Sequence, residues 1–520
     1  MIFNWLAGLM LGVRTDLSAM ATTDWAYLAR SHWATHLLTS SPAYGSIAFE
    51  YEKNSYPLAM ADLLAGDRAK ALAFLQQLDP EAEETQGIDL YSGFVLKGQI
   101  RKYFYFGDRL DPAYRQRMWT AMHEFTKTDP LTRQAVHPRK FWSASTDDCT
   151  TAVDCRNTDN LRAMRETSVY LMAEETGNEE TRLTYKARLQ RFVHTLYDIG
   201  MGEWDSPTYH GHTTAAYLNL YDFAQDPEVK QLAKEALDWL FRSAALKYWR
   251  GSWDGPLKRP GGDGAAQFFW LYFGDAPSPQ AVEKDWIHGL TSRYRPPEDI
   301  VRFAHRQFSR PVEIRRTHPH YENWKPGKYG PAFYETLYFG HTFQLGSLAG
   351  GTGGDWQGFS LRVAKGPSTD ALVVTAEGKQ QIAQYENLLL WRSNAPPVIN
   401  FPEGEIERYE DTIFIRCEQT WIAIWQFRTG FAMEVGEPQS HGSFDEFKAA
   451  MQARSHVQFW NKSITYQSSD GRRLKIEPQE GGLPNVWRNN QRYDWKHHTD
   501  TTALPTLTPV KPPSPTVQKS

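Results

Sequence analysis

"TIFIRCEQTWIAIWQF", residues 412–427, is crowded with β-branched and aromatic residues, the composition of strand rather than helix. "ALVVTAEG" (371–378) and "SITYQSSDGRRLKIEP" (463–478) read the same way, and Asp470-Gly471 between apolar runs marks a tight hairpin. From about residue 310 onward the apolar rhythm is close to two, so residues 311–498 are expected to form an antiparallel β-sandwich. The final residues, 499–520, are rich in Pro, Thr and Ser and are expected to be a disordered tail.

Working back from that strand-rich half, the rhythm changes to that of helices. In "NLRAMRETSVYLMAEETGN" (160–178), Leu161, Met164, Ser168, Leu171 and Met172 follow a three-four spacing, and Gly177-Asn178 reads as a stop. "EETRLTYKARLQRFVHTLYDIG" (179–200) places Leu183, Leu189, Phe192, Val193 and Leu196 on one face. "DPEVKQLAKEALDWLFRSAAL" (226–246) opens on an Asp226 cap with Pro227 in the first helical position. Successive helix pairs of this size point to a bundle or an α/α toroid over residues 1–310, not to a parallel βαβ sheet. The join, "RQFSRPVEIRRTHPHYENWKP" (306–326), loses both rhythms.

The chain has 520 residues, enough for two or three domains, and a formal net charge of -4 with both signs interspersed. No basic run or basic domain is present, which argues against nucleic acid as a partner. Phe, Trp and Tyr make up 14% of residues. Most belong in a large core, but "KYWRGSWDGP" (247–256) and "HYENWKPGKYGPAFYE" (320–335) set aromatics among Gly, Asp and Arg, as a sugar-stacking cleft would. Cys149 and Cys155 are spaced for a small disulfide loop or for two free thiols, and Cys417 lies in a strand-like run. The opening "MIFNWLAGLMLGV" is too short to span a bilayer and makes a poor signal peptide.

Chemistry concentrates in "GEWDSPTYHGHTTAAYLNLYDF" (202–223). Pro207 and Gly211 predict a turn before His212, with a helix after it that carries Tyr217 and Tyr221 on one face. A loop-borne His212 and a helix-borne Tyr221 would then face one cavity. From this stretch alone, a packed tyrosine stripe with His212 as cap is the favoured reading. Upstream, "CRNTDNLRAMRET" (155–167) offers the amides Asn157 and Asn160 with Arg162 just inside a helix; Asn160 is a natural N-cap. Downstream, Trp249, Arg250, Trp253, Lys258 and Arg259 share a Gly-rich loop.

Together these residues resemble polysaccharide lyases of the hyaluronate, chondroitin and xanthan lyase group, related to the heparinase-II-like and alginate lyases. The likeness rests on "GHTTAAYLNLYD" (211–222), with a Tyr nine residues after the His, and on "TDNLR" (158–162), which puts Asn160 fifty-two residues before His212. Gly211 stands where that group has Gln. The resemblance implies an incomplete α/α toroid followed by a β-sandwich, and β-elimination at a 4-linked uronic acid without a required cofactor. It also implies roles. Asn160, Arg250 and an assisting Asn157 neutralise the uronate carboxylate, and His212 and Tyr221 act as base and acid in either order. Arg162, Tyr209, His210, Tyr217, Trp249, Trp253, Arg259 and His341 are expected to bind substrate. The partner is an acidic polysaccharide, the location secreted or periplasmic, and the chain a monomer or homodimer; a structural cation is compatible with this scheme.

Two rivals accompany this reading. An inverting glycoside hydrolase needs two carboxylates about 6.5–9.5 Å apart, here Glu203 or Asp205 with Asp254 or Asp263. The other is a glycan-binding protein without catalysis. A metal enzyme built on His210, His212 and Asp205 lacks the spacing for a ligand set.

Overall fold

The computed structural model describes residues 22–41, 43–47, 52–66, 68–91, 93–130, 158–320, 323, 327–350, 355–375 and 380–498. Asn157, Cys149, Cys155, the opening segment and the C-terminal tail lie outside these residues. Among the described residues, no helix is long and apolar enough to cross a membrane.

The first half is helical: α1 (Thr22–Thr39), α2 (Glu52–Ala65), α3 (Arg68–Leu75), α4 (Gly93–Phe106), α5 (Pro112–Thr126), α6 (Asp159–Thr176), α7 (Glu179–Asp198), α8 (His210–Phe223) and α9 (Pro227–Lys247). Helices α2, α4, α6 and α8 pack side by side. Helices α6 and α8 are buried along almost their whole length, whereas α5 and α7 bury one face, as their sequences require. Asp226 caps α9 by accepting from Glu228 N at 2.9 Å, and Gly177 ends α6 at φ +75°. The cap of α6 is Thr158, not Asn160, which sits in its first turn.

After α9 come two-residue strands β1 (Tyr248–Trp249), β2 (Ser252–Trp253) and β3 (Leu257–Lys258), then α10 (Gly264–Phe273), α11 (Trp286–Thr291) and α12 (Glu298–Ala304). Helix α11 contacts both α8 and α2, so it bridges the ends of the inner row.

The second half is antiparallel throughout. One six-stranded sheet runs β12-β9-β8-β6-β5-β4, from Val398–Asn400, Ser368–Thr375, Phe359–Lys365, Phe343–Ala349, Pro331–Phe339 and Val312–Pro319. The other runs β10-β11-β16-β15-β14-β13, from Gln381–Tyr385, Leu388–Arg392, Gly430–Gly436, Thr420–Phe427, Thr412–Cys417 and Glu405–Tyr409. Their facing side chains, among them Leu345, Leu361, Ile415, Ile424 and Met433, form one core. A third sheet of five strands, β17 to β21 (His456–Trp460, Ser463–Gln467, Arg473–Glu477, Asn485–Arg488, Gln491–Arg492), packs Ile464, Tyr466 and Ile476 against the back of the second. The join, whose sequence loses both rhythms, contains β4, a long edge strand whose partner β5 supplies the pairing that its sequence does not advertise.

The two halves are joined by buried ions. Arg316 Nη1 on β4 lies 3.1 Å from Asp205 Oδ2, and its Nη2 donates to Ser243 Oγ at 2.7 Å. Lys247 at the end of α9 pairs with Glu335 on β5 and lies 3.4 Å from Asp205, while His318 Nε2 donates to Glu335 at 3.1 Å. Asp205, Lys247, His318 and Glu335 have no exposed side-chain surface. Burial pushes the Asp205 carboxyl up, but Arg316 and Lys247 outweigh it and hold the group well below the usual range.

Candidate functional site

The turn before α8 is set by its contact with the β half. Gly200 sits at φ +88°, and a Cβ there would lie 2.5 Å from the Thr317 carbonyl, so a side chain would collide with β4. Three residues on, the Asp159 carboxylate at the start of α6 accepts from Glu203 N at 2.7 Å. Trp204 is fully buried, stacked on His318 at 4.9 Å and against Phe333 at 4.6 Å. Glu203 and Tyr209 are thus presented by a turn fixed at both ends.

His212 is the third residue of α8, in the helix itself and not in the preceding loop. Its Nδ1 is hydrogen-bonded to the Asp285 carboxylate, which also takes the buried Lys97 ammonium. Burial raises the Asp285 carboxyl, but Lys97 and His212 outweigh it and hold it ionised. An ionised carboxylate can only accept, so Nδ1 carries the proton and Nε2 keeps its lone pair. The His212 side chain is 22% exposed, and its side-chain hydrogen bond among the described residues is the one through Nδ1. Burial also lowers the His212 pKa against the pull of Asp285, favouring the neutral ring. Beneath the pair, Asn219 of α8 donates to Lys97 O at 2.9 Å and accepts from Arg101 Nε at 2.8 Å and His288 Nδ1 at 3.2 Å. That network fixes α4, α8 and α11 around the ring.

Four helix starts meet around His212. Phe94, in the first turn of α4, packs edge-on against His212 at 5.1 Å, and Lys53, in the first turn of α2, lies 4.5 Å over the Phe94 ring. Gly93 approaches the start of α6, where a Cβ would be 3.6 Å from Leu161 O. Helix N-termini carry partial positive charge, so their convergence favours an anion.

Across from the ring, Tyr209 lies 6.3 Å from His212, and its hydroxyl accepts from Arg259 Nη2 at 3.4 Å. Arg259 sits just after β3, which pairs with Trp356–Gln357 (β7), and adopts φ +54°, a conformation unfavourable for a residue with a side chain. Its guanidinium is 3.9 Å from Glu203 Oε1. Burial, and then the nearby Asp159 charge, push the Glu203 carboxyl up to about 8, so it is protonated at neutral pH. Asn160 neighbours Asp159; its Oδ1 accepts from Thr158 Oγ1 at 2.7 Å, leaving its N–H groups for another partner.

The remaining expected site residues lie elsewhere. Tyr221 is nine residues from His212 on one continuous helix, which puts it about 13 Å along the axis and about half a turn round it. It packs edge-on against Tyr294 at 5.6 Å, and one cavity cannot receive both groups. Tyr217 is buried and stacks on Phe192 at 5.9 Å; Arg162 covers the same ring and pairs with Glu166. His210 is buried, with Nε2 donating to Leu240 O at 3.0 Å. Trp253 is buried against Phe269 and donates to Asp205 O at 2.7 Å. Trp249 is buried beneath Arg250 and Arg306, and Arg250 donates to Gly366 O in the β half. His341 bonds to Glu437 and the Phe308 carbonyl. Each of these side chains is held by the partners just named and not by a contact with His212.

The carboxylates proposed for hydrolysis are also engaged. Asp205 belongs to the buried ion network, and Asp254 takes Arg362 and Ser360 at the contact between the halves. Asp263 accepts from Gln267 at 2.9 Å at the start of α10. Asp205, His318 and Glu335 have the spacing of a metal site, but Lys247 and Arg316 already neutralise them. Glu52, Asp79 and Asp89 form a second buried acidic group with partners of their own.

Fold and site define a helical half joined to an antiparallel β-sandwich, with an oriented His–Asp pair near the starts of several helices. No protein-family model matches the sequence, and no curated protein matches it. Among solved structures, it is similar to chondroitinase AC lyase, a structure described as revealing that enzyme's active site through oligosaccharide complexes and mutagenesis. The likeness covers 93% of both chains at 8% identity with a TM-score of 0.35, too low to carry residue positions from one to the other.

Proposed function

We propose that the protein is a polysaccharide lyase that cleaves a uronic-acid-containing polymer by β-elimination. The observation that carries this reading is the His212–Asp285 pair, set where the starts of α2, α4, α6 and α8 converge. In this scheme the substrate carboxylate is received by Arg259, the Asn160 amide and the protonated Glu203, which offset its charge and make the C5 proton more acidic. His212 Nε2 takes that proton. The electron pair then forms the C4–C5 double bond as the C4–O4 bond breaks. Tyr209, or the imidazolium of His212 itself, returns a proton to the departing O4. Tyr209 thus takes the part first expected of Tyr221, because it lies on the His212 side of the helix start. The helical half is read as an incomplete α/α toroid, since α11 returns the inner row of helices to α2.

Incubation with a panel of uronate polymers tests the proposal through ultraviolet absorbance of the new conjugated double bond. New reducing ends without that absorbance would overturn it. They would favour hydrolysis, the reading that a protonated Glu203 supports as a general acid.

A further inference from the structure

We infer that the β half carries a second binding site for acidic polysaccharide, at the open end of the strands β10 and β11 beside the β17–β18 hairpin. A cavity of about 530 Å³ opens there, within the size range of small-ligand sites. Its wall includes Arg392 at the end of β11, Lys462 at the hairpin tip and the Asn394 amide, while the Gln381 and Gln479 side chains bond to neighbouring backbone. Two backbone-to-side-chain bonds make the cavity a built one. Gln479 N donates to Gln381 Oε1 at 2.9 Å, and Gln381 Nε2 donates back to Gln479 O at 2.5 Å. Arg392 Nη1 donates to Lys462 O at 3.2 Å, which fixes one side of the guanidinium and leaves its other N–H groups for a ligand. Glu480, the acid at the rim, is already engaged.

The aromatics at this hairpin are the second observation. Trp460 is 77% exposed and Phe459 58%, the two most exposed large aromatics among the described residues. Phe459 leans on Phe427 at 5.2 Å, whereas among the described residues no ring packs on Trp460. Trp460 pairs with Ser463 on the hairpin face opposite Ile464 and stands outside the cavity wall, so a chain leaving the cavity would meet it only by passing round the hairpin tip. A pyranose ring offers a face of C–H groups to an indole, and its hydroxyls and carboxylates suit amides and a guanidinium. Two cations and the Asn394 amide at one cavity therefore match an acidic sugar chain better than a neutral one.

The inference relies on the proposed substrate class for its choice of polymer, and its test separates the two. Full-length His212→Ala protein, which leaves polymer intact, is run in native gels cast with a uronate polymer or with neutral dextran. The uronate is expected to retard the protein and dextran is not. Arg392→Ala with Lys462→Ala should weaken that retardation about tenfold or more, the loss expected for charge-assisted contacts. Lys462→Glu, a change at an exposed hairpin tip, gives the same reading without risk to the fold, and Trp460→Ala should weaken retardation several-fold. In the His212 protein, the Arg392 and Lys462 changes should leave turnover of short oligosaccharides unchanged. Absence of retardation, or equal retardation of the Lys462→Glu protein, would overturn the second site whatever the outcome of the double-bond assay. Retardation without double-bond formation by the wild type would instead leave this site standing and remove the lyase reading.

Discussion

The hydrogen bond from His212 Nδ1 to the Asp285 carboxylate joins residues 73 apart in sequence and decides which nitrogen of the ring is available for chemistry. With Nδ1 donating, Nε2 is the basic atom. Asp285→Asn would offer the ring an amide, which also stabilises the other tautomer. Under the proposed mechanism it should lower kcat by about 10²–10⁴-fold with little change in KM. Steady-state rates of double-bond formation check this, and unchanged kcat would remove the pair from the mechanism.

Tyrosine substitutions separate the two faces of α8. Tyr209→Phe should lower kcat by at least about tenfold. Tyr221→Phe, on the opposite face and packed on Tyr294, should keep nearly wild-type rates. The reverse result would restore Tyr221 to the site and require α8 to be broken in the active protein.

The pH profile should have two limbs. Below the ordinary histidine range, protonation of His212 removes the base. Its lowered pKa extends activity further into acid than an unperturbed ring would. Above about 8, Glu203 ionises and places a negative charge where the substrate carboxylate must sit. Glu203→Gln, a neutral donor at all pH values, should erase the alkaline limb of kcat/KM and keep the acidic one. The same shift makes a stability prediction. Between its ordinary value near 4.5 and about 8, the folded state holds a proton that the unfolded chain has released. Stability therefore falls as pH rises through that window, and Glu203→Gln should flatten the fall. Denaturant melts at several pH values read it.

Removing Lys247 should be severe. Lys247→Met leaves Asp205 and Glu335 buried with one cation fewer, which costs about 3–5 kcal/mol. Because the Asp205 and Glu335 carboxyls are held below their ordinary values, the stabilisation they bring is present at neutral pH. It is lost as acid protonates them, below the usual carboxylate range near 4. Chemical denaturation of the variant at neutral and acid pH measures both effects.

The sequence told the class of each half because local periodicity follows from which face is buried. The stripe of Val229, Ala233, Ala236, Leu237 and Leu240 in α9 is the face that packs inward. The Asp226 cap and the Gly177 stop were legible for the same local reason. The edge strand β4 was not, since prolines and arginines in "SRPVEIRRTHP" (309–319) mask a strand whose identity comes from β5. In the site, His212 and Arg259 stood out by residue type. Asp285 and Lys97 did not, being 73 and 115 positions from the histidine they orient, and only tertiary packing brings them there. His212 and Tyr221 leave α8 on opposite sides, because an unbroken helix turns a nine-residue interval by about half a turn. The aromatic loop "KYWRGSWDGP" (247–256) read as a cleft, yet Trp253 belongs to the helical core against Phe269 and His210, and Trp249 lies under Arg250 and Arg306.

Asp205, which anchors the ion network between the halves, lies two residues after Glu203 and four before Tyr209 in the same short turn. Rocking one half against the other would have to part Asp205 from Arg316 and draw Trp204 from its seat among His318 and Phe333. The cleft consequently behaves as a fixed aperture and not as a hinged jaw. Under the proposed function, chain shape and branching, not clamp closure, would therefore decide which polymer reaches His212.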